Sequence, residues 1–183
     1  MAKLPIRLFG DPVLRERAAE VETFDDALRK LADDMLETMR AAAGAGLAAT
    51  QVGILKRLFT WELIGEEDTV AGAWANPEVV ETSEEVQEGD EGCLSFPGLF
   101  YPCERPLRAR IRARDLHGEE HEVVGEGMLA RIYLHEIDHL NGILFIDHLA
   151  RHDRKEAMRR IRAGELEEHA AARDSAGERA RTL

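Results

Sequence analysis

The segment that most constrains this chain is His135-Glu136-Ile137-Asp138-His139, in which two histidines lie four residues apart. Residues with this spacing share one face of an α-helix, so both imidazoles can bind one transition-metal ion. Glu136, between them, would lie close enough to act on a water molecule bound by that ion. The segment therefore predicts a hydrolase with a metal-binding helix from about 127 to 140, which Asn141-Gly142 would end.

Two histidines do not complete a metal site, and the best third ligand is Cys93. It lies in Glu91-Gly92-Cys93-Leu94-Ser95, where glycine and serine favour a tight, exposed backbone. A cysteine binds metal as its thiolate, which a nearby cation favours at neutral pH. Cys93, His135 and His139 would leave a fourth position open for water, as catalytic sites do.

A third segment, Gly44–Gln51, has the pattern G-x-G-L-A-A-x-Q. Together with E-G-C-L-S and H-E-x-D-H-L, in this order and at these separations, it closely resembles the three signature motifs of the peptide deformylases. The segment Ile6–Leu14 also resembles the opening segment of that family, and the resemblance covers roughly residues 6 to 150. It implies hydrolysis of the N-formyl group of formyl-methionyl nascent peptides, with release of formate. Family members are similar in using one divalent ion, Fe(II), which zinc, nickel or cobalt can replace.

Four residues receive roles in this chemistry. The position of Glu136 between two ligands predicts a general base, which takes a proton from water and later delivers it to the leaving amine. The resemblance implies that the Gln51 side-chain amide and the Leu94 backbone N–H donate to the oxyanion. It also implies that Gly46 helps to bind or position the substrate.

The resemblance further implies a pair between Asp138 and Arg105 that would fix the metal-binding helix. Two positions depart from the family pattern: Leu134 stands where many deformylases have glutamine, and Ile132 where many have a small residue. Ala45 stands where bulkier aliphatic residues are frequent. We hypothesise that Ala45 and Ile132 reshape the substrate pocket and alter its preference for methionine.

The spacing of apolar residues predicts the remaining elements. A first helix would begin at Thr23 as its cap and end near Ala43, with Gly44 and Gly46 as terminator. Strands are predicted at 57–63, about 72–82, 106–114 and 119–124. The fold class is therefore α+β, with mostly antiparallel sheets around a central metal-binding helix, an N-terminal helix and a C-terminal helical tail. The arginines at 108, 110, 112 and 114 alternate with apolar residues and predict a solvated sheet face.

Length and charge bound the organisation of the chain. Its 183 residues fit one catalytic domain, expected at 1–169, with fraying from about Ala170 so that 170–183 form a loose tail. There is no stretch of eighteen apolar residues and no basic head before an apolar run, so we expect a cytoplasmic protein without a membrane span. The net charge of −12 disfavours non-specific binding to DNA, because the protein as a whole repels the negatively charged phosphates.

Other polar residues receive simpler interpretations. A reducing cytoplasm argues against a disulfide between Cys93 and Cys103, and Cys103 is expected to pack in the core. His148 and His152 are expected at the surface. After Leu149, basic residues outnumber acidic ones, which predicts a charged surface helix or a surface that docks on an acidic partner. Bacterial deformylases are similar in using a C-terminal helix to approach the ribosome.

Three alternatives are weighed against this interpretation. Metallo-endopeptidases of the H-E-x-x-H kind use histidine or carboxylate as the third ligand and lack E-G-C-L-S. A metal-stabilised protein that binds the ribosome without catalysis would need neither Glu136 nor Gln51. The glycines of Gly44–Gln51 superficially match a dinucleotide-binding fingerprint, but they follow a predicted helix instead of a strand.

Overall fold

The computed structural model of the chain describes residues 3–65 and 68–179. Its strands are β1 Gly46–Ala48, β2 Leu58–Ile64, β3 Thr69–Thr82, β4 Val86–Gln87, β5 Asp90–Gly92, β6 Phe100–Pro102, β7 Arg105–Pro106, β8 Arg108–Arg114 and β9 Glu120–Glu126. Its helices are α1 Asp26–Ala41, α2 Met128–Leu140, α3 Arg151–Arg162 and α4 Glu165–Arg179.

The strands pair antiparallel throughout. Five of them form one sheet in the order β1-β2-β3-β8-β9, while β4 pairs with β7 and β5 with β6 in two small sheets. This arrangement confirms the predicted α+β class. The four predicted strands agree with β2, β3, β8 and β9 to within three residues at each end. The short strands of the small sheets were not predicted, because two or three residues are too few to show alternation.

Helix α1 begins later than its sequence predicts. Thr23 was expected to cap it, but the cap is Asp25, whose carboxylate accepts a hydrogen bond from the Leu28 backbone N–H at 2.9 Å. Thr23 lies two residues too early to accept that bond. At the other end, Ala43 rather than Gly44 adopts the left-handed conformation, with φ of 55°.

Helix α2 lies against the five-stranded sheet and is almost wholly buried. Its apolar residues pack with the sheet residues Phe59, Trp61 and Ile111. The end of β9 needs a glycine where the helix passes it, because a Cβ atom at Gly125 would lie 2.9 Å from the Ala130 backbone nitrogen. The helix therefore runs close to β9, and its polar residues are enclosed with its apolar ones.

The arginine face of β8 is solvated, as predicted. The alternating residues Ala109, Ile111 and Ala113 are buried. The four arginines form ion pairs with glutamates of β3 and β9: Arg108 with Glu126, Arg110 with Glu81 and Glu122, Arg112 with Glu122, and Arg114 with Glu120. These exposed pairs across the sheet leave little free positive charge on this face.

Two helices follow the metal-binding helix instead of one helix and a frayed tail. The chain turns at Gly164, with φ of 86°, and then remains helical to Arg179, past Ala170 where fraying was expected. Alanine, glutamate and arginine have high helix propensity, which favours a helix even where the apolar periodicity is weak. The last four residues of the predicted tail, 180–183, lie outside the described residues. Within the described ranges, no helix is long and apolar enough to cross a bilayer.

Candidate metal centre

The three predicted ligands lie together. The sulfur of Cys93 and one nitrogen each of His135 and His139 are all within 4.8 Å of one another. The Cys93 sulfur lies 3.2 Å from Nε2 of His139, and the two imidazole rings have centroids 4.9 Å apart on one face of α2. Both histidines are buried, whereas Cys93 is partly exposed to the adjoining cleft.

Cys93 follows β5 in a loop whose donors surround its sulfur. The Ser95 backbone N–H and the Gln51 side-chain amide each lie 3.4 Å from this sulfur. The Gln51 carbonyl accepts a hydrogen bond from the Ala48 backbone N–H at 2.9 Å, which turns the amide nitrogen toward Cys93. Gln51 is buried, so it is not an exposed loop residue. Its amide can also reach a group that enters the cleft beside Cys93.

Glu91 is a central residue of the site that the sequence did not predict. Its carboxylate lies 2.7 Å from Nδ1 of His135 and accepts hydrogen bonds from Arg105, at 2.7 and 3.0 Å, and from Arg131 at 2.9 Å. All three partners are buried. Because Nδ1 of His135 is engaged, its Nε2 is the nitrogen free to bind a metal.

The charges around Glu91 explain its ionisation. Burial alone would raise the pKa of the Glu91 carboxyl, but the contacts with His135 and Arg105 outweigh burial and hold this pKa far below its usual range. Glu91 is therefore an anion at neutral pH.

The sequence held signals for both residues. Glu91 begins the E-G-C-L-S motif, and Arg131 lies four residues before His135, which places it on the same helix face.

Arg105 also pairs with Asp138, as the resemblance implied, with Nη1 and Oδ2 2.7 Å apart. The same carboxylate oxygen lies 2.8 Å from Nε2 of His148. His148 and His152 are both exposed, as expected, but the contact between His148 and Asp138 was not predicted. A chain of contacts thus runs from His148 at the surface through Asp138, Arg105 and Glu91 to the predicted ligand His135.

Glu136 lies on a second face of α2, beside the ligands. Its side chain is buried, and within the described residues its Oε2 atom has no hydrogen-bond partner. Burial raises the pKa of the Glu136 carboxyl to about 7. A Cβ atom at Gly46 would lie 2.2 Å from Oε1 of Glu136, so only glycine leaves room for this carboxylate.

A cleft of about 510 Å³ lies against the centre. Its walls include Gln51, Cys93, Leu94, His135 and Glu136, together with the predicted substrate residues Ala45, Gly46 and Ile132. Helical spacing explains why Ile132 lies in the cleft wall. Met128, Ile132 and Glu136 are four residues apart, so they form one stripe along α2, and all three line the cleft.

Two residues with expected roles lie away from the cleft. Leu134 packs against Ala109 and Ala130 and is not among the residues of the cleft wall, so its substitution for glutamine does not change the shape of the pocket. Cys103 is a free, buried cysteine in the core with Phe96 and Leu99, which confirms its packing role.

Comparisons with known proteins agree on one family. The family model described as polypeptide deformylase matches residues 3–155. A peptide deformylase of Acidothermus cellulolyticus is 50% identical over 165 residues, which cover 90% of this chain and 89% of the relative. A peptide deformylase of Azotobacter vinelandii is 49% identical over 150 residues, which cover 82% of this chain and 89% of the relative.

Solved structures give the same result. The peptide deformylase from Thermus thermophilus is 43% identical, with a TM-score of 0.82 and coverage of 94% of this chain and 99% of that chain. The peptide deformylase from Ehrlichia chaffeensis in complex with actinonin is 39% identical, with a TM-score of 0.84 and coverage of 90% of this chain and 99% of that chain.

The contacts of Glu91 predict its contribution to metal affinity. In Glu91→Gln the side chain keeps its size but loses the charge that orients His135 and neutralises Arg105 and Arg131. We expect the affinity for Zn²⁺ to fall by about 10- to 100-fold, measured by competition with a chromophoric chelator. We also expect the free energy of unfolding to fall by about 3–5 kcal/mol, because two buried guanidinium groups lose the anion that they share and, among the described residues, only Arg105 keeps another, Asp138.

Asp90→Asn is the matched control. Asp90 is the adjacent residue of β5, carries the same charge and is exposed, so its removal should change neither quantity beyond error. Equal zinc affinity in Glu91→Gln and wild type would contradict the role of Glu91.

Proposed function

Because the chain belongs to the peptide deformylase family, we propose that Cys93, His135 and His139 hold its metal ion and that Glu136 carries the proton in its reaction. The enzyme hydrolyses the N-formyl group of the amino-terminal formyl-methionine of new polypeptides and releases formate. One observation carries the assignment. Oε2 of Glu136 is buried without a hydrogen-bond partner among the described residues, in the same cleft as the three ligands.

The chemistry of the donor set fits a divalent transition metal. One sulfur and two imidazole nitrogens suit iron, cobalt, nickel and zinc, and their mutual distances allow one ion to bind all three. Burial holds the pKa of His139 well below its usual range, so its ring is neutral, as ligation requires. We propose Fe(II) as the resident ion, since similar proteins use it, with zinc, nickel or cobalt as substitutes.

Each group in the cleft has a separate role in the proposed reaction. When bound, the ion would supply the positive charge that makes a water molecule acidic enough to attack near neutral pH. Glu136 accepts the proton of the attacking water at its carboxylate and returns it to the leaving amine. The Gln51 amide and the Leu94 backbone N–H donate to the oxyanion that develops from the formyl carbonyl. Gly46 leaves the space in which the Glu136 carboxylate lies.

The role of Glu136 predicts a separation of metal binding from turnover. In Glu136→Ala, purified without oxygen, we expect the metal content of wild type but a kcat for formate release from a formyl-methionyl tripeptide lower by about 10²- to 10⁴-fold. Metal analysis of the same samples tests the proposed iron. His139→Ala should instead lose the ion and the activity together.

Glu156→Gln serves as the matched control, since Glu156 is an exposed acid of α3, and it should behave as wild type. If Glu136→Ala retains turnover, the proton role is wrong. If iron-replete wild type releases no formate, the non-catalytic binding protein becomes the better account.

We also propose that Ile132 sets the shape of the pocket that takes the methionine side chain. Its side chain lies one helical turn before Glu136 and belongs to the cleft wall. Ile132→Ala should enlarge the pocket and change the ratio of kcat/KM for formyl-Met and formyl-norleucine peptides by about tenfold. Leu134→Ala removes a side chain of the same composition outside the cleft, so it should keep the wild-type ratio. The hypothesis is wrong if Ile132→Ala keeps that ratio too.

The basic helix α3 supports a second proposal, contact with the ribosome in the cytoplasm. Six of its twelve residues are basic and two are acidic, and all of the basic ones except Arg160 are exposed. The double variant Arg159→Gln/Arg162→Gln should sediment less with ribosomes, and the difference should shrink with added salt. Arg108→Gln/Arg112→Gln removes equal charge from β8, where glutamates already pair it. Equal sedimentation of both double variants would contradict the proposal.

A further inference from the structure

The helix pair α3–α4 is held against the loop that follows Cys93. Nη2 of Arg160 donates to the Gly98 carbonyl at 3.2 Å. Leu166, the first apolar residue of α4, is buried in the same core as Phe96 and Leu99. These contacts fix where α4 lies relative to the metal centre.

Two side chains of α4, His169 and Arg173, belong to the wall of the cleft. They lie four residues apart and therefore share one face of the helix. The His169 ring covers Gly98, where a Cβ atom would lie 2.4 Å from its Cδ2. Nη1 of Arg173 donates to the Leu94 carbonyl at 3.1 Å, and this side chain is 19% exposed.

The contact with Leu94 places the Arg173 guanidinium near the path of a substrate. Leu94 supplies the proposed oxyanion donor from its N–H, and its C=O accepts the hydrogen bond from Arg173, so both points belong to one residue. An extended peptide advances about 3.3–3.6 Å per residue. With the formyl group at the donor and the chain extended toward α4, we expect the second and third residues of the peptide to lie nearest to Arg173.

Arg173 places a positive charge in the wall of the cleft. The Arg173 guanidinium has five N–H donors. Its Nη1 donates to the Leu94 carbonyl, and its Nε lies 3.1 Å from the Asp174 carboxylate. Asp174 is 71% exposed, so this pair is weak. The described residues of the cleft wall also include the acidic Asp90 and the exposed Phe100. Arg131 also belongs to the cleft wall but is already paired with Glu91, so among the described wall residues Arg173 is the arginine that can bind a carboxylate of the peptide.

We propose that His169 and Arg173 form a subsite for the peptide chain after formyl-methionine, in which the Arg173 guanidinium favours an acidic side chain at the second or third residue. The subsite deepens the proposed function and rests on it. It makes α4 part of the substrate cleft as well as a neighbour of the basic helix α3.

The test compares C-terminally amidated peptides that differ in one residue, formyl-Met-Ala-Asp with formyl-Met-Ala-Asn and formyl-Met-Asp-Ala with formyl-Met-Asn-Ala. We expect wild type to favour the acidic member of at least one pair about three- to tenfold in kcat/KM. Arg173→Gln should bring that ratio to about one through KM, and Arg173→Lys should keep part of it. Arg162→Gln, an exposed arginine outside the cleft wall, should keep the whole ratio.

Each other outcome overturns a specific statement. A wild type without acidic preference, or an Arg173→Gln variant that keeps the preference, contradicts the subsite. An Arg173→Gln variant that slows formyl-Met amide as much as the tripeptides shows that Arg173 only positions the Leu94 loop. A wild type that releases no formate from any peptide contradicts the proposed function itself. Equal thermal unfolding of the variants and wild type excludes misfolding as the cause.

Discussion

The buried carboxylate of Glu91 is the point at which three separate segments of the chain meet. It binds Arg105 of β7, Arg131 and His135 of α2, and it belongs to the strand that leads directly to Cys93. Removing an anion from water is costly unless opposite charges and donors replace the water. Here two guanidinium groups and an imidazole replace it, so folding of this region fixes the cysteine relative to the histidines.

The helical periodicity of α2 arranges its functional side chains in two stripes beside the Glu91 carboxylate. One stripe holds Arg131, His135 and His139, so the second cation on Glu91 and both histidine ligands lie on the same face. The adjacent stripe, which includes Ile132 and Glu136, faces the cleft. A single buried helix thus presents the two proposed histidine ligands, the proposed proton carrier and a wall of the cleft at fixed separations. The antiparallel sheet behind it encloses the apolar remainder and gives the helix little freedom to move.

Local patterns in the sequence were enough to predict most of this centre. H-E-x-x-H placed two side chains on one helix face by helical geometry alone, and β8 showed its solvated face through strict alternation. The cap of α1 was misplaced because Thr23 and Asp25 both have the chemistry of a cap, and only the backbone geometry selects Asp25. Gly46 was expected near substrate and lies in the cleft wall, and what the sequence did not show is that a Cβ atom there would clash with Glu136.

Contacts between distant segments could not be predicted in the same way. Glu91 stood inside a recognised motif, but its partners lie 14, 40 and 44 residues further along the chain. The position of α4 was also hidden, because its first turns are acidic and its apolar periodicity is weak. Leu166 and Arg173 hold it against the Cys93 loop through contacts that depend on how the whole chain packs.

In the proposed centre, one ion is held jointly by a sulfur and two nitrogens from distant parts of the chain. X-ray absorption spectroscopy of the zinc-loaded protein tests it most directly. We expect one zinc per chain, with one sulfur at about 2.3 Å and two imidazole nitrogens at about 2.0–2.1 Å from the zinc. A bound zinc without sulfur in its first coordination shell would contradict it.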